Sequence, residues 1–130
     1  MKPEDPTKIL LNHFDWNLQR MSESLQNEKT DYYRDAALQR FGHTFDLSVK
    51  CIQAFAENMD TPCQSARECF EIAVKNNWVS KDLDWEEVLQ SYDNVKQQLK
   101  GEPAEAVYNK LERFYFSFKI MYENLSEMGS

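Results

Sequence analysis

Glycine and proline are scarce in this sequence, which has only three glycines and four prolines among its 130 residues. Both residues interrupt regular structure, so their scarcity favours long helices joined by short connections. No Gly-rich phosphate loop is present, and this excludes the P-loop and Rossmann routes to nucleotide binding. At this length the chain is predicted to form one domain, residues 1–130, around a single core.

Cysteine is also scarce. The three cysteines, Cys51, Cys63 and Cys69, are odd in number and lack Cys-x-x-Cys spacing. We therefore expect neither a disulfide framework nor a zinc site, and Cys51 and Cys69 are predicted to be small buried hydrophobes. No metal and no cofactor are predicted.

Positive charge and long apolar runs are limited as well. The net charge of −7 disfavours direct binding to nucleic acid or to an anionic membrane, although a local basic patch remains possible. No apolar run approaches the ~20 residues that span a bilayer, and residues 1–6 lack the apolar core of a signal peptide. These features predict a cytoplasmic protein.

What the sequence does contain is apolar residues at helical spacing, which predict an all-α fold of long helices, the first two of them an antiparallel hairpin. The expected N-caps are Asp5, Thr30, Thr61 and Asp84. The fifth helix should open with Pro103 in its first turn and fray from about Ser126. The predicted helices cover residues 6–27, 30–59, 63–76, 85–100 and 103–126.

The second helix is predicted to organise the bundle. Its apolar stripe is expected to be core and contains Leu38, Phe41, Phe45, Val49, Ile52 and Ala56. Polar side chains lie beside that stripe, where a buried group without a partner costs roughly 1 to 3 kcal/mol. We predict that these side chains either bond one another across the bundle or bind another molecule. The candidate binding residues are Arg34, Asp35, Gln39, Arg40, Thr44 and Lys50.

Other features of this helix have plainer explanations. Asp46 and Lys50 are spaced for an ion pair within one helix, worth about 0.2 to 0.5 kcal/mol. Gly42 lies in a helix interior, where glycine lowers helix stability by about 1 kcal/mol relative to alanine. We therefore expect that the glycine allows a neighbouring backbone or a ligand to approach closely. His43 is interpreted as a surface or packed residue, because no Cys or Ser is spaced to act with it as a nucleophile.

The run Gln39-Arg40-Phe41, followed by Thr44-Phe45-Asp46-Leu47 and Lys50, resembles the signature of the nucleotidyltransferase substrate-binding protein family, a branch of the HEPN-like helical bundles. The family pattern reads Gln-Arg-Phe-Glu-x-Thr-Phe-Glu-Leu-x-Trp-Lys. Three positions depart from it, with Gly42, Asp46 and Val49 standing for Glu, Glu and Trp.

The resemblance implies an up-and-down bundle of four or five long antiparallel helices. Such a bundle pairs with a second copy of itself and works beside a separately encoded minimal nucleotidyltransferase. In such modules the partner carries the metal and the catalytic acids, and the helical protein is the substrate-binding subunit. The predicted function is therefore a non-catalytic binding subunit of a module that resembles toxin–antitoxin pairs.

Two alternatives remain. Related HEPN proteins are ribonuclease toxins that use an Arg-x4-6-His motif, but the equivalent positions here are Tyr92 and Gln97, with Leu99 at the place of a modifiable tyrosine. Gln97 cannot exchange a proton near neutral pH, which disfavours a ribonuclease unless His43 or another base takes that role. The second alternative is a homo-oligomeric bundle without a ligand.

Overall fold

The structure, a computed structural model, describes residues 6–82, 84–98 and 100–128. Within those ranges it is an all-α bundle without strands, as predicted. Asp5, the expected cap of the first helix, and Leu99 lie outside the described residues. The helices are α1 (Pro6–Leu25), α2 (Asp31–Asn58), α3 (Ala66–Lys75), α4 (Trp85–Lys96), α5 (Glu102–Tyr108) and α6 (Leu111–Met128).

Helix α2 is the centre of the bundle and contacts each of the other helices. Thr30 caps it as predicted, because its hydroxyl accepts a hydrogen bond of 3.2 Å from the Tyr33 amide. The short connection from α1 makes α1 and α2 a helical hairpin. Every residue of the predicted stripe is buried except Val49, which is partly buried.

The prediction for the start of α3 is wrong. Ser65 is the N-cap, since its hydroxyl accepts from the Glu68 amide at 3.1 Å. Thr61 instead donates its hydroxyl to the Ala56 carbonyl at 3.2 Å, so it helps to end α2. Asp60 precedes it in the left-handed conformation, with φ of 59°. The proline that follows keeps the chain extended before the next helix begins.

The end of the fourth helix and the continuity of the fifth also differ from prediction. Asp84 caps α4 as expected, but α4 ends at Lys96, and Gln98 adopts a left-handed φ of 55°. The predicted fifth helix is divided into α5 and α6 at Asn109 and Lys110. The Lys110 amide bonds to the Val107 carbonyl, a tighter turn that interrupts the helix while keeping its apolar stripe in line. Helix α6 continues to Met128, two residues past the point where fraying was predicted to begin.

Aromatic rings connect the helices through the core. Phe41 of α2 lies 5.6 Å from Phe114 and 6.2 Å from Phe118 of α6, measured between ring centroids. On the other side of the bundle, Phe70 of α3 stacks on Trp85 of α4 at 4.5 Å. All of these rings are buried. Removing one such ring is expected to cost about 3 to 5 kcal/mol, because the packed neighbours cannot fill the cavity.

One cysteine prediction is wrong and another is confirmed. Cys63 and Cys69 form a disulfide, because the turn through Pro62 and Ser65 brings Cys63 back over the first turn of α3, with a Cα–Cα distance of 5.2 Å. The sequence did not indicate this pairing, because the cysteines lack Cys-x-x-Cys spacing. Cys51 is a free buried thiol, and burial raises its pKa to about 12. Cys51 therefore behaves as the small hydrophobe that was predicted.

Two further properties concern the described residues only. None of the helices in those ranges combines the length and the apolar character required to cross a membrane. No group of three or more His, Cys, Asp or Glu side chains in the same ranges converges on a point where a metal ion could bind.

Candidate functional site

The six candidate residues of α2 do not form one site. Because successive residues of a helix point about 100° apart, their side chains meet different neighbours. Arg34 and Asp35 face the start of α5, Gln39 faces a groove that also involves α4, and Arg40 and Thr44 face α1. Lys50 is exposed. The structure thus distributes the six residues over several faces of α2, with Asp35 and Gln39 on one of them and Arg40 and Thr44 on another.

Arg34 lies at the centre of a cluster of carboxylates. Its residue surface is only 9% exposed. Its guanidinium nitrogens lie 3.2 Å from Asp35, 3.5 Å from Asp31 and 3.6 Å from Glu105. Burial lowers the pKa of Arg34, but the hydrogen bond to Asp35 and the three negative charges together raise it above its ordinary value. Lys29 also pairs with Glu105, at 2.5 Å, so the cluster ties the start of α2 to α5.

The groove lies between α2, α4 and α5 and has a volume of about 410 Å³. Its apolar lining is Leu38, Val95, Ala104 and Val107, and its polar lining is Asp35, Gln39, Asn94, Lys96, Gln98 and Lys100. Pockets for small ligands commonly have an apolar surface of this kind with a few polar groups that fix orientation. Two of the six predicted residues, Asp35 and Gln39, belong to this groove.

Lys96, at the edge of the groove, interacts with the side chain of Tyr92. Tyr92 donates a hydrogen bond to Asp46, and its ring stacks on Phe45 at 4.0 Å. The hydrogen bond with Tyr92 raises the pKa of Lys96, burial opposes this, and the negative charges of Asp46 and Asp93 raise it further. The predicted pairing of Asp46 with Lys50 is wrong: Asp46 accepts a hydrogen bond from Tyr92 of α4, and no ion pair within the described residues joins it to Lys50.

Arg40 and Thr44 contact α1 through Asn17. Arg40 donates from Nη1 to Asn17 Oδ1 at 3.3 Å, and the Asn17 amide in turn donates to the His13 carbonyl at 3.0 Å. Thr44 is fully buried and donates to the carbonyl of Arg40 at 2.8 Å. That bond lies within α2, and the same hydroxyl lies 3.5 Å from the Asn17 carbonyl of α1. Arg40 is half-buried and retains unused donors.

The sequence reasoning missed Trp16 and Arg20 of α1. Trp16 is 51% exposed, and the guanidinium carbons of Arg20 and Arg40 lie 5.3 Å and 5.5 Å from its ring centroid. The available signal was the position of Trp16, which lies off the apolar stripe through Phe14 and Leu18. A large aromatic residue at a solvent position often marks a contact surface.

The remaining features of the predicted site have structural explanations. His43 and His13 are exposed. A Cβ built at Gly42 would meet Val95 Cγ1 at 3.9 Å, which is ordinary van der Waals contact. Gly42 is therefore not required by the packing of α4, contrary to the expectation that it admits a close backbone.

The family model described as nucleotidyltransferase substrate binding protein like matches residues 11–127, which include nearly all of the bundle. The chain belongs to this family. The match spans all of the faces described above, and the resemblance noted in the sequence of α2 is thereby confirmed. A search of curated proteins found no match to the chain.

Proposed function

We propose that this chain is the non-catalytic, substrate-binding subunit of a cytoplasmic pair whose other member is a separately encoded minimal nucleotidyltransferase. The observation that carries the proposal is the family match over residues 11–127. A subunit of this kind needs a ligand site but no catalytic groups of its own. Its partner would supply the metal and the catalytic acids.

The groove between α2, α4 and α5 is the proposed substrate site. Its volume of about 410 Å³ falls within the ~300 to 1,000 Å³ typical of small-molecule pockets. Gln39 and Asp35 offer an amide and a carboxylate, and Lys96 and Lys100 offer positive charge. Arg34 contributes indirectly, because its ion pairs hold Asp35 and the start of α5 in place. Lys50 would contact the partner or the substrate only outside this groove.

The side chains near the groove support a binding role over catalysis. General acid–base cleavage needs a group that titrates near neutral pH and lies close to the reacting atoms. Gln97 occupies the position of the catalytic histidine in the ribonuclease relatives and cannot titrate. His43 is exposed, and the nearby hydroxyls of Thr44 and Ser48 donate to the carbonyls of Arg40 and Phe45.

A second copy of the chain is also part of the proposal. Phe116 is 55% exposed and Ile120 is 43% exposed, and they lie one turn apart on the outer surface of α6. Exposed apolar pairs of this size favour a contact between proteins. A homodimer through α6 would leave the groove open to substrate.

The experiment is co-expression of the chain with the nucleotidyltransferase encoded next to it. We expect a stable complex and a lower KM of the transferase for its acceptor substrate when the chain is present. Gln39→Ala in the groove should raise that KM, whereas the matched control Gln19→Ala on α1 should leave it unchanged. Absence of a complex would contradict the pairing and favour a homo-oligomer without a ligand.

The ribonuclease alternative is tested separately. Purified chain incubated with RNA should give no cleavage, with or without His43→Ala. Cleavage that disappears in His43→Ala would replace the proposed binding role with a catalytic one.

A further inference from the structure

Trp16 stands apart from the other tryptophans of the chain. It is 51% exposed, whereas Trp78 and Trp85 are 3% and 7% exposed. Its indole lies beside two guanidinium groups, those of Arg20 and Arg40. This arrangement on the α1–α2 face, which we call the Trp16 cluster (Trp16, Arg20 and Arg40), is not explained by packing of the core.

Arg40 supplies a positive charge without a carboxylate partner. Across the described residues its side-chain contacts are the Asn17 amide oxygen and the Trp16 ring. Arg113 provides the contrast, because it lies over the Phe114 ring at 5.7 Å but also pairs with Glu87. A half-buried guanidinium held in one place and left without a counterion is arranged to receive an anion.

Arg20 adds a second charge to the Trp16 cluster. Its Nη2 lies 2.7 Å from Glu23, but its Nε is buried and has no hydrogen-bond partner in the described structure. Because that Nε is enclosed by protein, an incoming acceptor would bond the terminal nitrogens of the guanidinium, on a side chain that is 34% exposed. Two guanidinium groups face one carboxylate here, which leaves this small region positive on a chain whose net charge is −7.

We propose that the Trp16 cluster binds the phosphate group of a ligand. A phosphate dianion can accept hydrogen bonds from two guanidinium groups at once, whereas one carboxylate matches a single guanidinium fork. The exposed part of the Trp16 ring offers an apolar surface to the rest of the ligand. This inference goes beyond the proposed function, since the cluster lies on a different face of α2 from the groove and does not depend on a nucleotidyltransferase partner.

The test uses the indole N–H signals of the full chain in a proton–nitrogen NMR spectrum. Only the Trp16 signal should move on titration with millimolar inorganic phosphate or ATP at constant ionic strength. The buried indole of Trp85 donates to the Ser80 carbonyl and serves as an internal reference. Adenosine, which has the ring but no phosphate, should have no effect.

Variants assign the binding to the arginines. Arg40→Gln and Arg20→Gln should each weaken phosphate or ATP binding about tenfold, the usual effect of losing a charged hydrogen bond. Arg113→Gln, at an arginine that also lies over an aromatic ring, should bind as the unaltered chain does. The thermal unfolding of each variant shows that it is folded before binding is measured.

The outcomes divide clearly. Saturable movement of the Trp16 signal that Arg40→Gln and Arg20→Gln weaken supports the site. Tighter binding of ATP than of phosphate identifies a nucleotide as the source of the phosphate group, and equal affinity identifies a free phosphate. No movement with either probe, equal movement of all three indole signals, or equal movement with adenosine overturns the proposal. Failure to pair with a nucleotidyltransferase would leave these measurements unaffected.

Discussion

Arg34 and Arg40 lie on the same helix, yet their guanidinium groups have opposite surroundings. Arg34 is buried among Asp31, Asp35 and Glu105, so its charge is neutralised within the chain. Arg40 is half-buried, is held by the Asn17 amide, and lies beside an exposed indole and a second arginine. The same side chain therefore serves the fold in one place and remains open to a ligand in the other.

The difference shows how an arginine next to a core stripe can be interpreted. Both arginines belong to the polar residues beside the apolar stripe, which suggested a binding surface in the sequence. They differ in the number of carboxylates that lie near the guanidinium group. A buried charge with several partners is held for stability, and loss of one member leaves the others unpaired. A positioned charge without an acidic partner keeps its capacity to bind an anion.

The largest effect expected from this comparison is on stability. Arg34→Met should lower the melting temperature by about 5 °C or more, because three carboxylates lose their shared partner. Arg40→Met should lower it less, since only a hydrogen bond to Asn17 and a ring contact are lost. Calorimetry or thermal circular dichroism measures both. Equal losses in the two variants would remove the distinction between a structural and an open arginine.

A smaller effect concerns pH. The hydrogen bond from Lys29 lowers the pKa of Glu105 below its ordinary value of 4.5, burial opposes this, and the charges of Lys29 and Arg34 lower it further. Because the pKa is lower in the folded state, this carboxylate stabilises the fold fully above about pH 4.5, and the stabilisation disappears as the pH falls through the folded value.

The difference in melting temperature between the unaltered chain and Glu105→Gln should therefore shrink as the pH is lowered from about 7 to about 3. The penalty of Arg34→Met should shrink with it. The penalty of Arg40→Met should stay constant, because Arg40 pairs with no carboxylate of residues 6–82, 84–98 and 100–128. Gln19→Ala, an exposed substitution on α1 that removes no charge, is the control for general effects of pH on the measurement. A constant penalty for Arg34→Met would contradict the ion-pair account.

The sequence predicted the helical framework well, because the relevant signals are local. The apolar stripe of α2 and its Thr30 cap follow from spacing and capping chemistry, and the structure agrees. The break between α5 and α6 was missed because the apolar spacing continues across it. The Cys63–Cys69 disulfide was missed because it depends on the path of the preceding turn.

The site was harder to predict, for a geometric reason. Neighbouring residues on a helix point in different directions. The contact partners of each polar side chain therefore depend on which other helix packs against that face. Asn17 beside Arg40 and Glu105 beside Arg34 come from other helices, and no local pattern identifies them. Fully buried Thr44 looked the same in sequence as exposed Gln39.

The smallest expected effect is at Gly42, between Arg40 and the packed surface of α4. Its added Cβ would make an ordinary contact with Val95 at 3.9 Å, so Gly42→Ala should raise the free energy of unfolding by ~1 kcal/mol, the helix-propensity difference. Phosphate binding at the Trp16 cluster should not change, because the added methyl group is directed toward α4. A loss of stability would mean that the space beside Gly42 is used by something other than Val95, and a loss of phosphate binding would mean that Arg40 depends on the backbone there. Either result would mean that the environments of Arg34 and Arg40 are not independent of each other.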